Sequence, residues 1–203
     1  KKIKKYQFQD FKLDLSNFSL TNQTIAKIKR KFKHVDVLIN NAGTSIKSNN
    51  PYDQEILNKT LAINLNVAFN LSNIVCKIMA KRKKGSIINI TSLGAEMGFE
   101  KNPSYQVSKA GLKQLSKALA CDWGHKNIRV NNICPGYIKT KMTEESFKDP
   151  QKYEERLKNM VLKRWGTPQD LVGPVAFLLS ESSSYITGSD LYVDGGWISN
   201  GGL

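Results

Sequence analysis

Segments of strand character alternate with segments of helical character along nearly the whole chain, and that order leaves few architectures open. Phe11 to Leu15, Val35 to Ile39, Ser86 to Ile90, Ile128 to Ile133 and Asp190 to Val193 read as strands. Between them, Leu20 to Phe32, about Asp53 to Lys83, Pro103 to Gly124 and Thr167 to Leu179 carry apolar residues near helical spacing. The nearly all-apolar Ile87 to Ile90 suits a strand covered on both faces. The pattern predicts an α/β protein with a doubly wound parallel sheet and helices on both faces. No internal repeat or linker interrupts it, so residues 1–203 are expected to form a single domain, with enough apolar composition (40%) to bury a core. After Pro135-Gly136, a polar, lysine-rich segment to about Arg164 reads as a mobile excursion over a site.

Composition removes several classes of function. Apolar runs such as Val175 to Leu179 fall far short of the roughly 20 residues a membrane-spanning helix needs. No charged and apolar leader pattern opens the chain, and a cytoplasmic protein without membrane partners is expected. Cys76, Cys121 and Cys134 lack C-x-x-C spacing, and His34 and His125 stand alone, so no metal site is expected and each thiol reads as buried. The net charge of +14 invites a nucleic-acid partner, but the basic residues are mostly lysines spread along the chain without interleaved aromatics. Lys81-Arg82-Lys83-Lys84 falls where a helix should end and cations complement its dipole. No nucleic acid is expected; a basic field would instead attract an anionic substrate or an acidic carrier protein.

Tyr105 and Lys109 stand four residues apart and share one helix face. Such a pair means little alone, but its companions accumulate at strand ends, where open α/β sheets bind ligands. Ser92 follows the apolar strand, Asn40-Asn41-Ala42-Gly43 follows the preceding one, and Pro135 to Thr140 follows the next. Asn64, flanked by Ile63 and Leu65 in a long helix, is expected to be packed and hydrogen-bonded.

In order and spacing, N-N-A-G at Asn40 to Gly43, Asn64, Ser92, Y-x-x-x-K at Tyr105 to Lys109, P-G-x-x-x-T at Pro135 to Thr140 and V-D-G-G at Val193 to Gly196 resemble the short-chain dehydrogenase/reductase family. The resemblance runs from Asp14 onward and implies a Rossmann-like sheet with NAD or NADP as cofactor. The family's T-G-x-x-x-G-x-G turn does not occur in the 203 residues, which reads as a truncated N-terminal βαβ portion. The resemblance makes Asn64, Ser92, Tyr105 and Lys109 catalytic. It places Asp14 and Leu15 at the adenine, Asn41, Ala42 and Gly43 at its ribose, and Pro135, Gly136, Ile138 and Thr140 near the nicotinamide, with Tyr105 and Lys109 also touching the cofactor.

Tyr105 would exchange a proton with the substrate oxygen that Ser92 holds, Lys109 would hold the ribose, and Asn64 would support a proton-relaying water. A free tyrosine titrates near about 10. A cation about 4 Å away, at an effective dielectric of about 20, is worth roughly 4 kcal/mol, or about three pKa units. The charge of Lys109 is therefore expected to outweigh burial and bring Tyr105 toward neutrality.

The C-terminal motifs, Arg164 to Pro168 and Val193 to Trp197, resemble the branch holding 3-oxoacyl-carrier-protein reductases and gluconate or deoxygluconate dehydrogenases. A small alcohol or ketone substrate follows, a sugar, a sugar acid or a carrier-bound 3-oxoacyl thioester, with Trp197 favouring the sugar side. The resemblance assigns substrate choice to about Met142 to Arg164 and Leu93 to Asn102, with Glu96, Lys101, Lys141 and Lys163 as candidates for the mouth. The family implies a homotetramer or homodimer through the long helices and the last strand. The alternative is a non-catalytic relative acting as an assembly or regulatory partner.

Overall fold

The computed structural model describes residues 9–15, 18–32 and 34–200. Among them, strands β1 (Val37–Asn40), β2 (Gly85–Ile90), β3 (Ile128–Pro135) and β4 (Asp190–Val193) form one sheet in the order β1-β2-β3-β4, every neighbouring pair parallel. Helix α1 (Phe18–Lys31) precedes β1. Helices α2 (Gln54–Leu61) and α3 (Val67–Met79) join β1 to β2, and α4 (Pro103–Trp123) joins β2 to β3. Three more, α5 (Glu144–Lys148), α6 (Pro150–Asn159) and α7 (Val172–Leu179), lie between β3 and β4.

Alternate residues of each strand face opposite sides. Ile87, Ile128 and Val130 pack with Val75, Cys76 and Met79 of α3 and Leu119 and Ala120 of α4. Ile88 and Ile133 pack with Leu178 of α7 on the other face. Helices therefore cover both faces, as the alternation of elements predicts.

A row of polar side chains crosses this apolar sheet. Asn40, Asn89, Asn132 and Asp190 are successive register partners on the four strands. Asn40 donates to Asn89 (2.7 Å), Asn89 to Ser116 of α4 (2.6 Å), Ser116 to Asn132 (2.6 Å) and Asn132 to Asp190 (2.6 Å). Each asparagine is buried, so the cost of removing it from water is met by a partner. The apolar reading of β2 missed this row.

Several expectations need correcting. Phe11 to Leu15 is not a strand: pairing, not propensity, makes one, and among the described residues nothing lies beyond β1 to pair with it. The exposed β1 side chains Val37 and Ile39 mark that open edge. The lysine-rich segment is largely helical, with Tyr153, Leu157 and Met160 held in an apolar cluster with Trp165 and Trp197. Thr167 to Leu179 opens as a 3-10 turn, Pro168–Leu171, capped by Thr167 and Asp170, before α7 begins. Cys76 and Cys134 are buried, but Cys121 is exposed.

Helix-forming residues from Gln54 to Met79 run for 26 residues, long and apolar enough by length and composition to cross a membrane. Here the run packs against α4 and the sheet, and it carries buried, bonded polar groups at Asn64 and Ser72. Its regular winding is broken by a π-turn at Ala62–Asn66. Lys81 to Lys84 follows its end, where Arg82 pairs with Asp36 (2.7 Å) and Lys84 with Glu181 (2.9 Å).

Candidate active site

The C-terminal ends of β1, β2 and β3 open into a cleft of about 430 Å3. Asn41, Gly43, Ser92, Tyr105, Lys109, Pro135, Gly136, Ile138 and Thr140 all line it. Leu15, Asn41 and Ala42 meet in a second recess of about 160 Å3 beside β1. Asp14 is exposed and lines neither. All the residues named for the cofactor except Asp14 thus line one recess or the other.

Tyr105 and Lys109 sit in the first two turns of α4, which starts with proline at its first position. Ser92 caps the short 3-10 turn Leu93–Ala95, its hydroxyl accepting from the Gly94 amide at 3.1 Å. The same hydroxyl lies near enough to the Tyr105 phenol to favour its ionised form. Lys109 Nζ lies 5.8 Å from the Tyr105 ring centroid and donates to the Ile90 carbonyl at 2.7 Å.

Electrostatically the pair differs from the expectation. Burial pushes the Tyr105 phenol above its ordinary value, and the nearby Ser92 hydroxyl only partly offsets this. Burial also lowers Lys109 to about 8. A fully charged ammonium close to the phenol oxygen would lower the phenol pKa. In the fold desolvation acts on both groups, and the ammonium stands over the ring with its first bond on a carbonyl.

Asn64 is buried in the π-turn of the α2–α3 run. Its Oδ1 accepts from the Thr44 amide (2.7 Å), while its Nδ2 donates to the Thr44 carbonyl (2.9 Å) and to Ser108 Oγ (2.9 Å). One donor hydrogen thus fastens the loop after β1 and the other ties the π-turn to α4. That loop brings Gly43 against the lysine: a Cβ there would lie 3.3 Å from Lys109 Nζ and 3.5 Å from Asn64 Oδ1. Any side chain would intrude on the lysine and the cleft.

Of the mouth candidates, only Lys141 lines the cleft. Glu96 accepts from Tyr192 (2.7 Å) and pairs with Lys113, and Lys163 donates to the Lys158 carbonyl (2.8 Å). Lys101 lines neither this cleft nor its extension. That extension, about 270 Å3, shares Ser92, Tyr105 and Gly136 with the main cleft and adds Ser45, Asn102, Tyr137 and Arg156. The sequence singles out none of the four by itself, although Tyr137 falls in the strand-end segment Pro135 to Thr140, and Asn102 and Arg156 fall in the stretches 93–102 and 142–164 that the family resemblance assigns to substrate choice. Arg156 leaves a further signal, as a cation on the apolar stripe Tyr153, Leu157, Met160 at helical spacing.

The glycine cradle, the lysine and the small groups at three strand ends fit the nicotinamide-ribose end of a dinucleotide. The family profile described as enoyl-(acyl carrier protein) reductase matches residues 1–198. The 2-dehydro-3-deoxy-D-gluconate 5-dehydrogenase of Pseudoalteromonas atlantica is 36% identical over 192 residues, 94% of this chain and 76% of that protein. A gluconate 5-dehydrogenase from Burkholderia cenocepacia J2315, solved in complex with NADP and tartrate, superimposes with a TM-score of 0.88 at 28% identity, covering 92% of this chain and 74% of that one. A 4-hydroxyisoleucine dehydrogenase complexed with NADH gives a TM-score of 0.88 at 35% identity, covering 92% and 78%.

Sheet, motif order and relatives together define an NAD(P)-dependent oxidoreductase. The chain belongs to the short-chain dehydrogenase/reductase family, as its motifs imply.

Proposed function

We propose that the cleft interconverts a secondary alcohol and a ketone on a small sugar acid, with Tyr105 as the proton donor and acceptor. The observation that carries this reading is the convergence of Ser92 and Lys109 on Tyr105 in one cleft. The relatives named for gluconate and deoxygluconate chemistry support the substrate class.

Bound nicotinamide cofactor would supply the hydride acceptor or donor. Lys109, fixed to the Ile90 carbonyl, has its remaining ammonium hydrogens for the ribose hydroxyls, and Gly43 leaves room for the sugar. Ile138 and Thr140 would border the nicotinamide, and the recess of Leu15, Asn41 and Ala42 would receive the adenosine end. Ser92 orients the substrate oxygen toward the Tyr105 hydroxyl. In the reductive direction the raised phenol pKa keeps the proton in place for delivery. In the oxidative direction Tyr105 must lose its proton, and positive charge on Lys109 and on the oxidised ring favours that loss. Asn64 acts by holding the loop that carries Gly43.

Turnover of a panel of sugar acids with NAD or NADP tests the reading. Tyr105→Phe is expected to lower kcat by about 100-fold or more, the usual contribution of a positioned acid or base, while cofactor still binds. Near-normal turnover would overturn the role of Tyr105. The exposed Phe69 of α3 and Val107 of α4 further suit pairing between copies of the chain, which light scattering tests.

A further inference from the structure

We propose that Arg156 of α6 is the residue that receives the carboxylate of the substrate and so selects acids over neutral polyols. This inference rests on the preceding reading of the cleft as a hydroxy-acid oxidoreductase site.

Arg156 occupies the inward stripe of α6, three residues from Tyr153 and next to Leu157, both members of the aromatic cluster. Its guanidinium carbon lies 5.3 Å from the centroid of the Tyr137 ring, and it lines the extension that Ser92 and Tyr105 also line. Its Nε is out of contact with solvent and has no hydrogen-bond partner among the described residues. No carboxylate of the described residues lies within ion-pairing distance; Glu100, also on this wall, is exposed and forms no pair with it.

The other arginines are accounted for. Arg30 is exposed, Arg82 pairs with Asp36 (2.7 Å), Arg129 donates to the Leu178 carbonyl (2.9 Å), and Arg164 grips Asp170 through two nitrogens (3.0 and 2.7 Å). A partly buried guanidinium left without an anion is unfavourable unless a ligand supplies one. Its planar donor array matches a carboxylate, and an aromatic face fixes its position in advance. Arg156 and the Ser92–Tyr105 pair border one continuous space, so a hydroxy acid can reach both. The carboxylate meets the arginine while a hydroxyl further along its chain meets the tyrosine.

The test compares D-gluconate with D-glucitol, its neutral six-carbon counterpart, in the wild type, Arg156→Gln and Arg156→Lys, each first checked for an unaltered melting transition. Arg156→Gln should lower the acid-to-polyol ratio of kcat/KM by ~10–100-fold, the loss of a charge-assisted hydrogen bond. The change should lie mainly in KM, and Arg156→Lys should recover part of it. An unchanged ratio in Arg156→Gln overturns the proposal. If the wild type oxidises neither compound, the assignment of gluconate to the site fails. Calorimetric binding of gluconate then decides on Arg156 by itself: loss of binding in Arg156→Gln supports the anchor, and equal binding removes it.

Discussion

Lys109 donates to the backbone carbonyl of Ile90 at 2.7 Å, joining α4 to the last residue of β2 just below the cleft. The bond gives the buried ammonium a partner but not a countercharge, and burial still lowers its pKa from 10.5 to about 8.

Stability should therefore depend on pH in a defined window. Below about 8 the lysine is charged in both folded and unfolded chains, and the full burial penalty is present. From about 8 to 10.5 the unfolded chain holds the proton and the folded chain does not, so stability rises with pH. Relative to Lys109→Met, which has no such proton, the wild type should gain on the order of 3 kcal/mol across that window. Urea melts of both proteins at stepped pH measure the difference; parallel curves would contradict it.

Replacing Asn64 by leucine removes partners from the Thr44 amide, the Thr44 carbonyl and Ser108 at once. We expect a loss of about 2 kcal/mol or more, because buried polar groups are left unpaired. Cofactor affinity should fall with it, since the loop holding Gly43 loses its clamp. Denaturant melts and fluorescence titration with NADH and NADPH read the two effects, and full stability in the variant would contradict the clamp.

Gly136 and Gly98 offer a matched contrast. A Cβ on Gly136 would sit 2.7 Å from Asp194 Cα, whereas one on Gly98 meets nothing within 4 Å. Asp194 cannot yield easily, since its carboxylate accepts from the Gly196 and Ile198 amides, both at 2.9 Å. Gly136→Ala should cost about 1–3 kcal/mol through overpacking, and Gly98→Ala should stay within about 0.5 kcal/mol. Equal melting temperatures would refute the distinction.

Asn89→Leu breaks the polar row at its centre, leaving Asn40 and Ser116 each without a partner it uses now. The variant should lose roughly 2–4 kcal/mol despite its greater hydrophobicity, about 1–3 for each group left unpaired. Calorimetry checks this, and a stabilised variant would show that the row is dispensable.

Much of the fold was legible because strand and helix periodicities are local, and the motifs fall at strand ends that parallel topology brings together. Phe11 to Leu15 has the right composition for a strand, but a strand needs a neighbour, which composition does not show. The lysines of residues 139–163 concealed the stripe of Tyr153, Leu157 and Met160 that seats α6. The raised Tyr105 pKa was unreadable for a similar reason: charge spacing is visible in a sequence, and burial is not.

The asparagine row bears on how the chain reaches its fold. An apolar strand can slide along an apolar neighbour with little penalty for arriving at the wrong level. In this sheet a slip of β3 by one residue in one direction would set Ile133 against Asn89 and strand an amide in hydrocarbon, while a slip in the other would set Asn131 there and turn the β3 side chains to the wrong faces. The row and the alternation of faces together penalise these misaligned pairings, much as a single buried asparagine fixes the alignment of a coiled coil. One alignment then remains, and in it the loops bearing Gly43, Ser92 and Gly136 emerge at the same height.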